Sequence, residues 1–189
     1  MVRTILDGRK SCTRRIVKPK QFVGLLPDKC KNGIPEEFLK EKKLMFKPYC
    51  DMTDAELISA AYKALYQPGD ILYVRETWKK APNGYYYYED WQKDDIADVT
   101  KWKPSIHMPK EAARIWLKVT DVRVERLQEM TDDDAEAEGC FDYTSTALGF
   151  PDVWNSTIKK SDLDRYGWNA NPWVWVIEFE QCEKPKEEN

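Results

Sequence analysis

The stretch from Ile115 to Val124 changes phase partway along, and that irregularity limits what the chain can build. In an extended strand successive side chains point to opposite faces, so Ile115, Leu117 and Val119 share one side. Val122 and Val124 fall on the other side of the same count. A straight strand cannot bury both sets together. A bulge or bend near Thr120-Asp121 reconciles them, and such bends are how small sheets curl toward barrels.

The neighbouring patterns extend that expectation. Trp173 to Cys182 reads as a closing strand, with Trp173, Trp175, Ile177 and Phe179 on one packing face. Ile71 to Trp78 alternates as a further strand; Ile71, Tyr73, Arg75 and Thr77 share one side, and Leu72, Val74, Glu76 and Trp78 the other. The tyrosine run 85–88 suits another strand. Helices are expected where Val2, Ile5 and Leu6 precede Gly8, and where Thr53 and Glu56 form a capping box that opens a helix to about Tyr66. Thr131 caps an acidic helix ending near Gly139, and 151–160 suits a short helix beginning at a proline. Few well-formed crossover helices separate the strands. The fold class expected is therefore mainly β with peripheral helices (α+β), a small β-barrel built from an antiparallel sheet. One domain over 1–183 accounts for it, with insertions at about 19–66, 79–104 and 139–171 and a charged tail at 184–189.

A net charge of −3 over 189 residues conceals a marked asymmetry. Residues 1–50 carry 13 Lys and Arg against 5 Asp and Glu, whereas 51–189 carry 17 against 28. That balance excludes a protein that coats nucleic acid by bulk charge, while the basic start suits a local anionic partner. No segment approaches the roughly 18 apolar residues of a membrane span, and the first residues hold no secretory leader. Five scattered Cys without a Cys-x-x-Cys pair, and a lone His107, argue against a disulfide framework or a metal centre. A cytoplasmic protein with no metal, no cofactor and no membrane partner is expected. His107, between Ile106 and Met108, reads as structural, and Asp132, Asp133 and Asp134 as serving the positive end of their helix.

The densest chemistry lies in Gly8-Arg9-Lys10-Ser11-Cys12-Thr13-Arg14-Arg15. Gly8 lets the chain leave a helix in a left-handed conformation. Four cations then crowd one loop, which is either a solvated basic turn or a binding element. The spacing Gly8-x-Lys10-x-x-x-x-Arg15 resembles the signature of the ASCH domain, a member of the PUA-like barrel superfamily. The block from Gly69 to Trp78 (GDILYVRETW) resembles the strand that follows this motif in many bacterial and phage members, and Pro104 to Pro109 (PSIHMP) and Asn171 to Phe179 (NPWVWVIEF) are similar to the phage-associated branch.

The resemblance implies a compact barrel with the signature loop lining a basic cleft, and an RNA or a modified nucleoside as ligand. It also implies an alternative, since one bacterial branch deacetylates acetylcytidine with a Lys, a Thr three residues on and a distant Glu. Lys10 and Thr13 match the first two positions, and Glu138 in Ala135-Glu136-Ala137-Glu138 matches the third. As a catalytic trio, a neutral Lys10 would activate the Thr13 hydroxyl or a water, with Glu138 relaying the proton. Arg9, Arg14, Arg15 and burial favour the neutral amine, and Glu138 favours the charged one. A charged Lys10 is better suited to phosphate or an oxyanion.

Arg9, Arg14, Arg15, Arg75, Glu76 and Trp78 are the remaining candidates for ligand binding. Glu76 either pairs structurally with an arginine such as Arg75 or meets the Lys10/Arg15 loop. Trp78 either stacks a base or fills the core. RNA cleavage by the basic loop, and a prophage accessory role in which the insertions bind a protein, are weaker alternatives.

Overall fold

The structure is a computed structural model that describes residues 2–18, 53–91, 101–140 and 146–185. Expectations that fall on 19–52, the greater part of the insertion at about 19–66, lie outside those residues.

A curled antiparallel sheet, a half-barrel, organises the described chain. Its strands are β1 (Cys12–Ile16), β2 (Ile71–Tyr73), β5 (Trp116–Arg126) and β6 (Trp173–Cys182), in the order β1-β6-β5-β2. A separate hairpin joins β3 (Trp78–Ala81) to β4 (Gly84–Tyr87). The helices are α1 (Val2–Leu6), α2 (Asp54–Ala61), α3 (Tyr88–Trp91), α4 (Asp132–Ala137), α5 (Thr146–Thr157) and α6 (Leu163–Tyr166).

The bulge sits where the change of phase requires it. Val119 pairs with Phe179, and the next pair in register is Asp121 with Glu178, so Thr120 is the extra residue. Leu117 and Val119 before it, and Val122 and Val124 after it, thereby reach the same face of the sheet as Trp175, Ile177 and Phe179. That face is covered by Ile5 and Val2 of α1 at one end and by Ile58, Tyr62, Ala64 and Tyr66 at the other. On the opposite face Val174 and Val176 pack beneath α4 and α5 with Leu127, Phe150 and Trp154. Strand β6 is thus buried on both faces, each large apolar side chain contributing roughly 1.5–3 kcal/mol.

Five local expectations are corrected. Ile71 to Trp78 is not one strand: β2 ends at Tyr73, and Trp78 begins the hairpin sheet. The linking Glu76 is buried, with its N–H donated to Met108 Sδ at 3.0 Å, so the chain turns out of the first sheet although alternation continues. Helix α2 keeps its Thr53/Glu56 capping box but stops at Ala61, because Tyr62 turns extended and packs with Tyr66 on the sheet. Pro151 lies inside α5 rather than at its start. Leu6 is exposed, since Ile5 and Val2 alone meet the sheet, and Tyr88 opens α3 instead of extending β4.

Candidate functional site

Strand β1 forms an edge of the sheet among the described residues, and the signature loop leads into it. Gly8, at φ 71°, ends α1 and turns the chain back, so that the N–H groups of Arg9 and Lys10 both donate to the Thr4 carbonyl (2.9 and 3.0 Å). Helix α4 ends in the turn Glu138-Gly139, where Gly139 has φ 91°. A Cβ on Gly139 would stand a tight 3.1 Å from Thr4 Oγ1, and the positive φ strains any other residue, so glycine favours this approach of the two turns. Ser11 N–H donates to the Ala137 carbonyl at 2.9 Å, fastening the loop to the helix.

That fastening brings Lys10 onto Glu138. Lys10 Nζ donates to the Glu138 carbonyl at 2.5 Å and to Glu138 Oε2 at 3.2 Å. The other carboxylate oxygen, Oε1, accepts the Arg14 backbone N–H at 2.8 Å. The Lys10 side chain is 5% exposed and that of Glu138 11%, so this is a largely dehydrated ion pair. Cys12 Sγ lies 4.0 Å from Glu138 Oε2, and burial, then the Glu138 charge, push its thiol up to about 11 against the influence of Arg14 and Lys10.

Strand alternation separates the remaining loop residues. Cys12 and Arg14 face α4, whereas Thr13 and Arg15 face the other way. The Thr13 hydroxyl makes no hydrogen bond to Lys10 or Glu138, so the expected trio converges only in part: Lys10 and Glu138 meet, and Thr13 does not join them. Arg14 is fully buried, with Nη2 at 3.1 Å from Asp134 Oδ1 and 3.7 Å from Glu125 Oε2. Its Nε makes no hydrogen bond among the described residues. Asp134 is pushed up by burial, but Thr131's backbone and hydroxyl hydrogen bonds and the Arg14 charge outweigh that and hold its carboxyl below the usual range.

The expected basic cleft is corrected as well. Arg9 is exposed and pairs with Asp7 at 2.8 Å, and Arg15 is exposed with Nη1 on the Arg14 carbonyl. On the face that Arg14 occupies, Arg123 bridges Asp121, Glu125 and Glu178. Five carboxylates (Asp121, Glu125, Asp134, Glu138 and Glu178) therefore stand with three cations (Lys10, Arg14 and Arg123). The sequence reading missed this row, although its signal was present: past the bulge, Asp121, Arg123 and Glu125 must share the face opposite Val122 and Val124.

The other candidates lie elsewhere. Glu76 meets neither Arg75 nor the Lys10 loop; Arg114 takes both its oxygens, from Nε at 2.9 Å and Nη2 at 2.8 Å. Arg75 is exposed and donates to the Ile106 carbonyl and Tyr73 Oη. Trp78 is buried with Met108, Ala112 and Trp116, which makes it core, and Lys103 lies over its ring at 5.0 Å. His107 is exposed in a short 3-10 turn. Among the described residues no three His, Cys, Asp or Glu side chains gather to hold a metal, and no helix is long and apolar enough to cross a membrane.

Fold and site together define a sheet-dominated α+β protein with an ion-paired lysine at one sheet edge. No family model, characterised protein or solved structure matches the chain.

Proposed function

We propose that the chain is an ASCH-type, PUA-like protein, its half-barrel forming one wall of the small barrel, and that it binds a modified nucleoside, free or within RNA, beside Lys10 and Glu138. The observation that carries this reading is the contact between two blocks far apart in sequence that the family resemblance pairs: Lys10 Nζ lies 3.2 Å from Glu138 Oε2. A nucleobase edge presents donors and acceptors close together, and this corner offers a lysine amine and a carboxylate side by side. The surplus of carboxylates favours an uncharged nucleoside over a polyphosphate at this point. For an RNA ligand, one base enters here while the backbone stays on other surfaces.

Calorimetric titration with cytidine, N4-acetylcytidine and a short single-stranded RNA tests the proposal. Saturable binding weakened about tenfold or more by Lys10→Met is expected, that being the scale of losing one charge-assisted hydrogen bond. No binding of any of the three, or binding indifferent to Lys10→Met, overturns it. RNA affinity that falls steeply with salt would place phosphate contacts in the complex, whereas nucleoside affinity should barely respond.

The Lys10–Glu138 contact also favours a second reading, hydrolysis of an N-acyl nucleoside amide such as N4-acetylcytidine. With Thr13 turned away, the nucleophile in that reading is a water held between Lys10 and Glu138. Attack on the amide carbonyl releases acetate and the free amine, the carboxylate taking the water proton and passing it to the leaving nitrogen. Acetate release abolished by Lys10→Ala and kept by Thr13→Val is the expected pattern. Loss on Thr13→Val, or no release at all, removes it.

A further inference from the structure

A second surface, away from Lys10, carries its own chemistry. Where β1 gives way to Val17 and β6 begins at Trp173, a groove of about 250 Å³ opens. Tyr62, Tyr166, Trp173, Arg126 and Arg165 line it, over an apolar floor that includes Val17 and Pro172. The Arg126 guanidinium lies 4.2 Å from the Trp173 ring centre, and its Nη1 donates to the Asn171 carbonyl at 3.0 Å. Asn171 holds that carbonyl in place from a left-handed turn (φ 44°), pinned by the Gln128 N–H on its own Oδ1 at 2.9 Å. Arg165, exposed, sits 5.1 Å from the Tyr166 ring centre. Among the described residues it forms no ion pair, and none of the carboxylates lines the groove.

We infer that this groove binds a nucleoside monophosphate unit, whether a free nucleotide or one residue of a single strand. A guanidinium seated over an indole combines a cation with an aromatic surface, and nucleobases stack on both kinds of group. The tyrosines supply further flat walls at low entropic cost. Arg165 stands at the rim with donors to spare, placed to fork onto a phosphate. Two cations without a lining carboxylate select against amines and metal ions, and aromatic walls select a flat ligand over a bare anion. This contrasts with the Lys10 face, where carboxylates outnumber cations.

The test measures binding to the full chain by isothermal titration calorimetry, with displacement of the bound nucleotide as the competition readout. The probes are uridine 5′-monophosphate, uridine, ribose 5-phosphate, tetrauridylate and a tetra-aspartate peptide. The nucleotide is expected to bind saturably, with uridine and ribose 5-phosphate each about tenfold weaker because each lacks one half of the recognition. Arg165→Ala and Tyr166→Ala should each weaken the nucleotide about tenfold. Tetrauridylate binding markedly tighter than the mononucleotide identifies a strand as the source; equal affinity identifies the free nucleotide. No saturable binding, indifference to both substitutions, or displacement by the peptide as effectively as by the nucleotide overturns the inference. A circular dichroism spectrum of each variant separates lost binding from lost folding. The readouts are independent of the Lys10 proposal: phosphate-requiring binding sensitive to Arg165 reports on the groove, and nucleoside binding sensitive to Lys10 reports on the sheet edge, so either can fail alone.

Discussion

Glu76 and Glu138 are both carboxylates drawn out of water by a cation from a distant part of the chain, yet they are held in different ways. Arg114 takes both oxygens of Glu76 in a fork, stacks 4.1 Å from the Tyr87 ring centre, and reaches on to Asp90. That carboxylate, 1% exposed, has both oxygens engaged by one partner and no freedom to take another. Glu138 divides its oxygens between a backbone N–H and a lysine whose shorter bond goes to a carbonyl instead. A fork fixes both position and partner. A shared carboxylate on a turn leaves the lysine with a rotatable head and donors that can change partners. The first arrangement is what a structural tie requires, and the second is what ligand exchange or proton transfer requires.

The largest test of that contrast removes one half of the fork. Arg114→Ala strands Glu76 as a buried, unpaired charge, which should cost roughly 3–5 kcal/mol in urea unfolding. Adding Glu76→Gln should recover part of the loss, because the uncompensated charge is then gone. A cost below about 1 kcal/mol would mean that water reaches Glu76, and the two sites would no longer differ in kind. At the other site Glu138→Gln keeps an acceptor for the Arg14 N–H while deleting the charge that Lys10 faces. An unfolding cost of about 1–2 kcal/mol is expected there, because the remaining amide can still accept a hydrogen bond. A cost as large as that of Arg114→Ala would make the Lys10 pair a structural tie as well.

How far each site could be read in advance follows from the range of the forces involved. The curl of the sheet was legible because the phase change of Ile115, Leu117, Val119, Val122 and Val124 is a local record of a bulge. The Thr53 and Thr131 caps were legible for the same reason, each bonding to residues within its own first turn. The fork was not. Arg114 lies 38 positions from Glu76, and nothing near either residue selects the other; the tighter neighbour Arg75 looked equally suitable. Lys10 and Glu138 are farther apart still and were paired through the family resemblance rather than through any pattern along the chain. Thr13 shows where that resemblance stops: position three after the lysine is kept, but β1 has already begun, and alternation turns Thr13 away from Cys12 and Arg14. The groove at Trp173 escaped for a related reason. Trp173 shares its face with core residues Trp175 and Ile177, and only tertiary structure reveals that it lies at the end where the cover stops.

The cap of α4 provides a finer probe, because Asp134 serves its helix and Arg14 together. Its carboxyl is held below the usual range in the folded state, so its stabilisation is present in full above the unfolded value near 3.9 and is lost as pH falls through the lower folded value. Asp134→Asn should cost about 1 kcal/mol at pH 7, the scale of a cap and a helix-terminal charge. Measured by chemical unfolding across the acid range, the gap between the two proteins should close below about pH 4. A gap that persists at low pH would assign the effect to packing and would detach Asp134 from the charge balance around Arg14.

The smallest expected effect uses Cys12 as a reporter on Glu138. Its thiol is pushed up to about 11 by burial first and the Glu138 charge second, so alkylation by iodoacetamide at pH 8 should be slow in the native protein. Glu138→Gln removes the second cause and leaves the first, and so should raise the Cys12 labelling rate only a few-fold, on the order of the change in thiolate fraction. Peptide mapping by mass spectrometry separates Cys12 from the partly exposed Cys140 and Cys182. Glu76→Gln, acting on the forked pair, should leave that rate alone, since neither Glu76 nor Arg114 acts on Cys12. Equal acceleration by both substitutions would mean that Cys12 reports general loosening, in which case the charge of Glu138 is not felt at the sheet edge any more specifically than that of Glu76.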